Sequence, residues 1–141
     1  MRGYRAEGKV FARRRRALSM QEARDLAGLL FDHFDVDPIV VQRPQHGGTR
    51  RGFYFYPRPR SGTPARIELR DDAPDWMVCH EVAHHVAFDR GHRGHGPEWA
   101  AIYVEAVEEF ISEPYGARLH RAMVREGLVP AEVVTYGARA C

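Results

Sequence analysis

Residues 74–88 read PDWMVCHEVAHHVAF, and the fold turns on this stretch. It contains His80-Glu81-Val82-Ala83-His84, an H-E-x-x-H pattern. Pro74 suits a first helical turn, and Asp72 and Asp75 suit a helix N-terminus, so a helix is expected from about 74 to 88. On a helix, histidines at i and i+4 share one face, and both imidazoles reach one metal ion. Glu81 projects beside them, close enough to take a proton from water at that metal. Zinc lowers the pKa of bound water and polarises a carbonyl, which is the chemistry of a hydrolase. With 8 His and 11 Glu in 141 residues, chance alone gives roughly 0.03 such matches per chain.

Downstream, Gly91, Gly94 and Gly96 break the chain, and Pro97 opens a second helix. Its apolar face carries Trp99, Ile102, Tyr103, Ala106 and Phe110. A last helix is expected over about 114–126, ending at Gly127. Upstream, Ser19 and Glu22 form a capping box, and apolar residues at helical spacing predict a helix over 20–34. Asp35 and Asp37-Pro38 stop it. Short β-branched, aromatic and alternating runs predict strands at 39–44, 52–57 and 65–70, joined by short turns. The expected class is α+β: an N-terminal helix, an antiparallel sheet of about three strands, the H-E-x-x-H helix and supporting C-terminal helices. Residues 1–18, with the run Arg13–Arg16, read as an irregular, loosely attached basic segment. Residues 19–141 read as one domain.

Composition agrees with one folded domain: 44% apolar and 28% charged residues. No apolar run approaches the ~18–20 residues of a membrane span, and no apolar signal region follows the basic start. The two cysteines, Cys79 and Cys141, exclude a disulfide scaffold and fit a reduced, cytoplasmic setting. Charge is unevenly spread. Residues 1–16 and residues 43–70 each carry seven basic side chains against one acid, whereas 71–113 carry ten acids against Arg90 and Arg93. Lys9 is the one lysine among 21 basic residues. The arginines agree with a compositional bias, since Asn is absent. They also predict weak, salt-sensitive nucleic-acid binding with little sequence preference.

A catalytic zinc site needs a third protein ligand and one open position. His92, His95 and a carboxylate of the following helix (Glu105, Glu108 or Glu109) are the candidates. The compact spacing H-E-x-x-H-x-x-G-x-x-H is absent, because Ala87 and Arg90 hold the Gly and His positions. His95 lies in His95-Gly96-Pro97-Glu98-Trp99, just before a helix, after glycines that let the chain fold back.

H-E-x-x-H followed by a short glycine-containing loop and H-G-P-E-W resembles the SprT-like zinc metallopeptidases, a family that includes the Spartan DNA–protein crosslink proteases. The resemblance spans residues 20–112, with its specific motifs in 80–99. It implies a zincin-like domain that cleaves a protein or peptide substrate, zinc held by His80, His84 and His95, and Glu81 as general base. The loop before the third histidine is short for that family, and no cysteine-rich zinc ribbon follows. In zincins, a strand beside the active-site helix takes extended substrate, and strand 65–70 fits that role or that of a charge-protected edge. Two other readings stay open: a regulatory zincin with an acidic third ligand, and a non-catalytic, zinc-stabilised nucleic-acid-binding module.

The remaining polar and aromatic residues have plainer expectations. His85 and His92 are expected to be exposed, His33, His46 and His120 to be ordinary surface or partly buried histidines, and Cys79 to lie in the core. In Phe53-Tyr54-Phe55-Tyr56, alternate rings are expected to fill the core, with base stacking as the other reading. Tyr103, Tyr115 and Tyr136 are the tyrosines offered for stabilising an oxyanion.

Overall fold

The computed structural model describes residues 2–14, 16–45 and 51–129. The chain runs α1 (Arg2–Val10), α2 (Met20–His33), β1 (Val40–Gln42), β2 (Gly52–Phe55), a 3-10 turn (Pro59–Ser61), β3 (Arg66–Leu69), α3 (Asp75–Asp89), α4 (Pro97–Phe110) and α5 (Glu113–Arg125). The class is α+β, as the hydrophobic periodicity predicts. His46 and Tyr136 lie outside the described residues.

Helix α2 begins on the expected capping box: the Ser19 hydroxyl accepts the Glu22 N–H, and the Glu22 carboxylate accepts the Ser19 N–H. It ends where Asp35 takes a left-handed conformation, φ 53°. The N–H of Val36 then reaches back to the Phe31 carbonyl at 3.1 Å, a Schellman closure with Asp in the place usual for Gly. Ala23, Ala27, Leu30 and Phe31 are its buried face.

Helix α3 is the axis of the molecule. Val78, Cys79, Val82, Ala83, Val86 and Ala87 are all essentially inaccessible. It packs between α4 and α2, with β2 and β3 against it. The H-E-x-x-H segment is therefore enclosed on several sides rather than laid on a surface. Cys79 sits in the core, where burial pushes its thiol pKa up.

The sheet departs from expectation. Its order is β1-β3-β2, with β1 parallel to β3 and β2 antiparallel to it. It is mixed, not an antiparallel meander. The most apolar strand takes the centre: Ile67 and Leu69 of β3 are fully buried. Glu68 of β3 is also buried, its carboxylate held by Arg66 Nε at 3.0 Å and Gln42 Nε2 at 3.5 Å. The charged alternation read as a wet face therefore includes a buried ion pair. Being central, β3 is also not the edge strand that its pattern suggests; β1 and β2 lie on either side of it.

The second correction is at the N-terminus. Residues 2–10 form a helix that packs on α5, with Ala6 and Phe11 in the core. Phe11 stacks on Trp76, centroids 5.0 Å apart. Arg14 closes this layer by pairing through two nitrogens with Asp75, at 3.1 and 2.5 Å. The basic run that looks like a loose tail is thus partly an anchor.

Candidate metal centre

Three elements bring three imidazoles together. His80 and His84 stand one turn apart on α3, as the i, i+4 spacing requires. Helix α3 then closes on Gly91, φ 87°, with the His92 N–H bonded to the Ala87 carbonyl at 2.9 Å. A second left-handed glycine, Gly94 at φ 75°, completes the reversal, and His95 arrives over the two helix histidines. Tyr56, just past β2, holds this loop: its hydroxyl accepts the Gly94 N–H at 2.9 Å. The Arg93 guanidinium lies 4.4 Å from the Tyr56 ring centre and 5.1 Å from that of Phe88.

The three Nε2 atoms form a near-equilateral triangle: His80–His84 3.3 Å, His84–His95 3.0 Å and His80–His95 3.2 Å. Nitrogens bound tetrahedrally to one zinc at ~2.0–2.1 Å lie about 3.3 Å apart. The triangle has that size. Its chemistry also fits a cation. Each Nε2 offers either one hydrogen or one lone pair, so three mutual contacts cannot all be hydrogen bonds. A cation satisfies three lone pairs at once. Among the described residues these three histidines form the group able to hold a metal ion.

Electrostatics favour the neutral imidazole on two of the three. Burial and the neighbouring His80 depress His84 to about 2. Burial and His80 likewise lower His95 to about 4. His80 differs: burial works against its charge, but the Glu81 and Glu7 carboxylates outweigh that and hold it above its ordinary value.

Trp99 floors the centre. Its indole N–H donates to the His80 carbonyl at 3.2 Å, and its ring lies 4.4 Å from His95 and stacks on His84 at 5.3 Å. Glu81 is buried beside the triangle, its Oε1 3.8 Å from His80 Nε2. The four residues read from the two motifs, His80, Glu81, His84 and His95, therefore meet in one place.

Other candidates stand elsewhere. His92 is exposed and lies 3.6 Å from Glu98. Glu105 pairs with His33 at 2.9 Å, Glu109 is exposed, and Glu108, although largely exposed, lies against Gly116 of α5. Tyr103 is fully buried, behind the ring of His80, which excludes it as a substrate-facing donor. Tyr115 packs by Phe11 and Arg14. The expectation that His85 is exposed fails: it is buried, its Nε2–H donating to the Asp37 carbonyl at 3.0 Å and its Nδ1 accepting the Tyr54 hydroxyl at 3.1 Å. Tyr54 is buried too and stacks on His84, so alternate rings of the aromatic strand do reach the core.

Sequence reasoning missed Glu7. Its buried carboxylate accepts from His80 Nδ1 across 73 residues of chain. The available signal was a lone acid between Ala6, Val10 and Phe11, on what becomes the apolar face of α1. A cavity of about 510 Å³ bordered by Glu7, Phe11, Arg14, Arg51 and Trp76 includes none of the three histidines. Several arginines of the basic segments are engaged internally: Arg14 with Asp75, Arg43 with Asp71, Arg66 with Glu68 and Arg70 with Asp72. No helix among the described residues is long and apolar enough to cross a membrane. The chain matches no family model, no curated protein and no solved structure.

Proposed function

We propose that this chain is a zinc metallopeptidase of the SprT-like kind, with a zincin-like domain. One observation carries the reading: the three Nε2 atoms stand 3.0–3.3 Å apart with a Glu81 carboxylate oxygen 3.8 Å from one of them. His80, His84 and His95 would hold the ion. Zinc bound there would polarise the scissile carbonyl and lower the pKa of a coordinated water towards neutrality.

The chain's own groups do the rest. Glu81 takes the proton of the attacking water and delivers it to the leaving amine. Glu81 is almost inaccessible and its carboxylate lies 3.8 Å from His80 Nε2, beside the histidine triangle. Strand β2, outermost in the sheet and packed on α3, offers a backbone edge for an extended peptide. The pairing of Glu105 with His33 argues against an acidic third ligand from that residue. Arginines of the basic segments add weak, salt-sensitive attraction to DNA or RNA. A cytoplasmic setting suits the buried free thiol of Cys79.

The test is metal content with activity. Purified wild-type chain should carry about one zinc, and a His80→Ala/His84→Ala double variant should carry none. The wild type should cleave an unstructured protein and Glu81→Gln should not. Stoichiometric zinc in the double variant, or equal cleavage by Glu81→Gln, overturns the reading. Zinc without cleavage across a broad substrate panel, with and without DNA, favours the non-catalytic nucleic-acid-binding module.

A further inference from the structure

We propose that Glu7 is a positioning residue of the metal centre, acting through His80; the inference rests on the zinc reading above. The carboxylate accepts from His80 Nδ1, and both side chains are almost inaccessible. A carboxylate is acceptor-only, so the proton of His80 is fixed on Nδ1. In the neutral ring this leaves the Nε2 lone pair facing His84 and His95. The contact also fixes the plane of the ring, already packed between Trp99 and Tyr103.

A merely structural role explains Glu7 poorly. Burying a carboxylate costs several kcal/mol of desolvation, and an apolar residue of similar size commonly serves packing as well or better. Two nearby cations are engaged elsewhere: Arg14 binds Asp75, and Lys9 reaches Glu126. What Glu7 meets is His80, with the fully buried Tyr103 phenol beside it. A buried acid aimed at the rear nitrogen of a ligand histidine is the arrangement that orients the ring and raises its basicity towards a metal. Loss of such a partner typically costs 10–100-fold in metal affinity.

The experiment measures zinc affinity of the full chain by competition with a chromogenic chelator, for wild type, Glu7→Gln, Glu7→Ala and Ala6→Gly. Gln is nearly isosteric, so the fold survives in at least that variant. Glu7→Gln should bind zinc roughly tenfold more weakly and Glu7→Ala weaker still, while the metal-free melting temperature of Glu7→Gln stays at or above wild type. Cobalt-loaded Glu7→Gln should show an altered visible spectrum, reporting a changed ligand field. Ala6→Gly loosens α1 but keeps the carboxylate, so its zinc affinity should stay near wild type. Equal losses in Ala6→Gly and Glu7→Gln would reduce Glu7 to a structural part and overturn the proposal. Wild-type affinity in Glu7→Gln overturns it alone, whereas a wild-type chain that takes up no zinc overturns the metal reading with it.

Discussion

The Tyr56 hydroxyl accepts the backbone N–H of Gly94 at 2.9 Å, one residue before His95. A residue just past β2 thus holds the loop that carries the third imidazole, and the loop's own Arg93 lies over the same ring. Tyr56→Phe removes the hydrogen bond but keeps the ring. At about 1 kcal/mol for such a bond, zinc affinity should fall roughly fivefold. Calorimetric titration with zinc checks this, and no change would mean that the glycines alone set the loop.

Glu81→Gln should separate catalysis from binding. An amide cannot take the proton of the attacking water, and general-base catalysis is worth ~10²–10⁴-fold. The variant should hold zinc normally and melt close to wild type, and its rate on a casein-like substrate should fall by that factor. Loss of zinc together with activity would instead make Glu81 a ligand.

His85 adjoins His84 yet should behave as a structural residue. His85→Ala strands the Tyr54 hydroxyl and the Asp37 carbonyl and leaves a void between α3, β2 and the turn after α2. A loss of about 2–4 kcal/mol follows. Chemical denaturation would read it, and the folded fraction should still bind one zinc per chain.

Helices α4 and α5 meet closely at Gly116. A Cβ there would overlap the Glu108 side chain and lie 3.0 Å from its Cα. Backbone cannot retreat as a side-chain tip can, so Gly116→Ala should cost about 1–3 kcal/mol. An unchanged denaturation midpoint would show that the two helices slide apart freely.

Glu108 itself supplies a pH signature. Partial burial, and then Glu105, Glu109 and Glu113, raise its carboxyl pKa above 4.5. For a raised acid, the folded state is favoured by protonation: that stability is present below the unfolded value and is lost as pH rises through the folded one. Glu108→Gln should therefore melt above wild type at pH 7, by roughly 1–3 °C given its exposure. The gap should close below pH 4.5. A gap that persists at acid pH would point to packing instead of charge.

Local signals made much of this molecule legible. Capping at Ser19 and Glu22, the glycines after α3 and Pro97 set helix ends within a residue or two, because each acts through its own backbone. His80 and His84 are readable from local i, i+4 spacing, whereas His95 stands as one of several candidates for the third position until the loop brings it over them. What escaped depends on partners distant in sequence. Parallel pairing of β1 with β3 is decided by which strand is apolar enough to lie central, and Glu68 could hide there because Arg66 and Gln42 cover it. His85 could be buried because Tyr54 and Asp37 satisfy both nitrogens. Helix α1 has no Ser, Thr, Asp or Asn to announce its start, and its four-arginine continuation suggests a solvated tail. Its place follows only from Phe11 finding Trp76 and Glu7 finding His80.

That last contact has a consequence for how the protein is made. Helix α1 is synthesised before the other described elements, and the helix it docks on, α5, is the last of them. Until residue 125 has been synthesised, Ala6 and Phe11 lack part of their packing surface, and the loop from Glu7 to His80 closes without that support. A nascent chain therefore exposes its H-E-x-x-H helix before the brace behind His80 is secure. Securing His80 from behind is thus a late event, tied to the synthesis of α5 and not to that of the helix that carries the histidine.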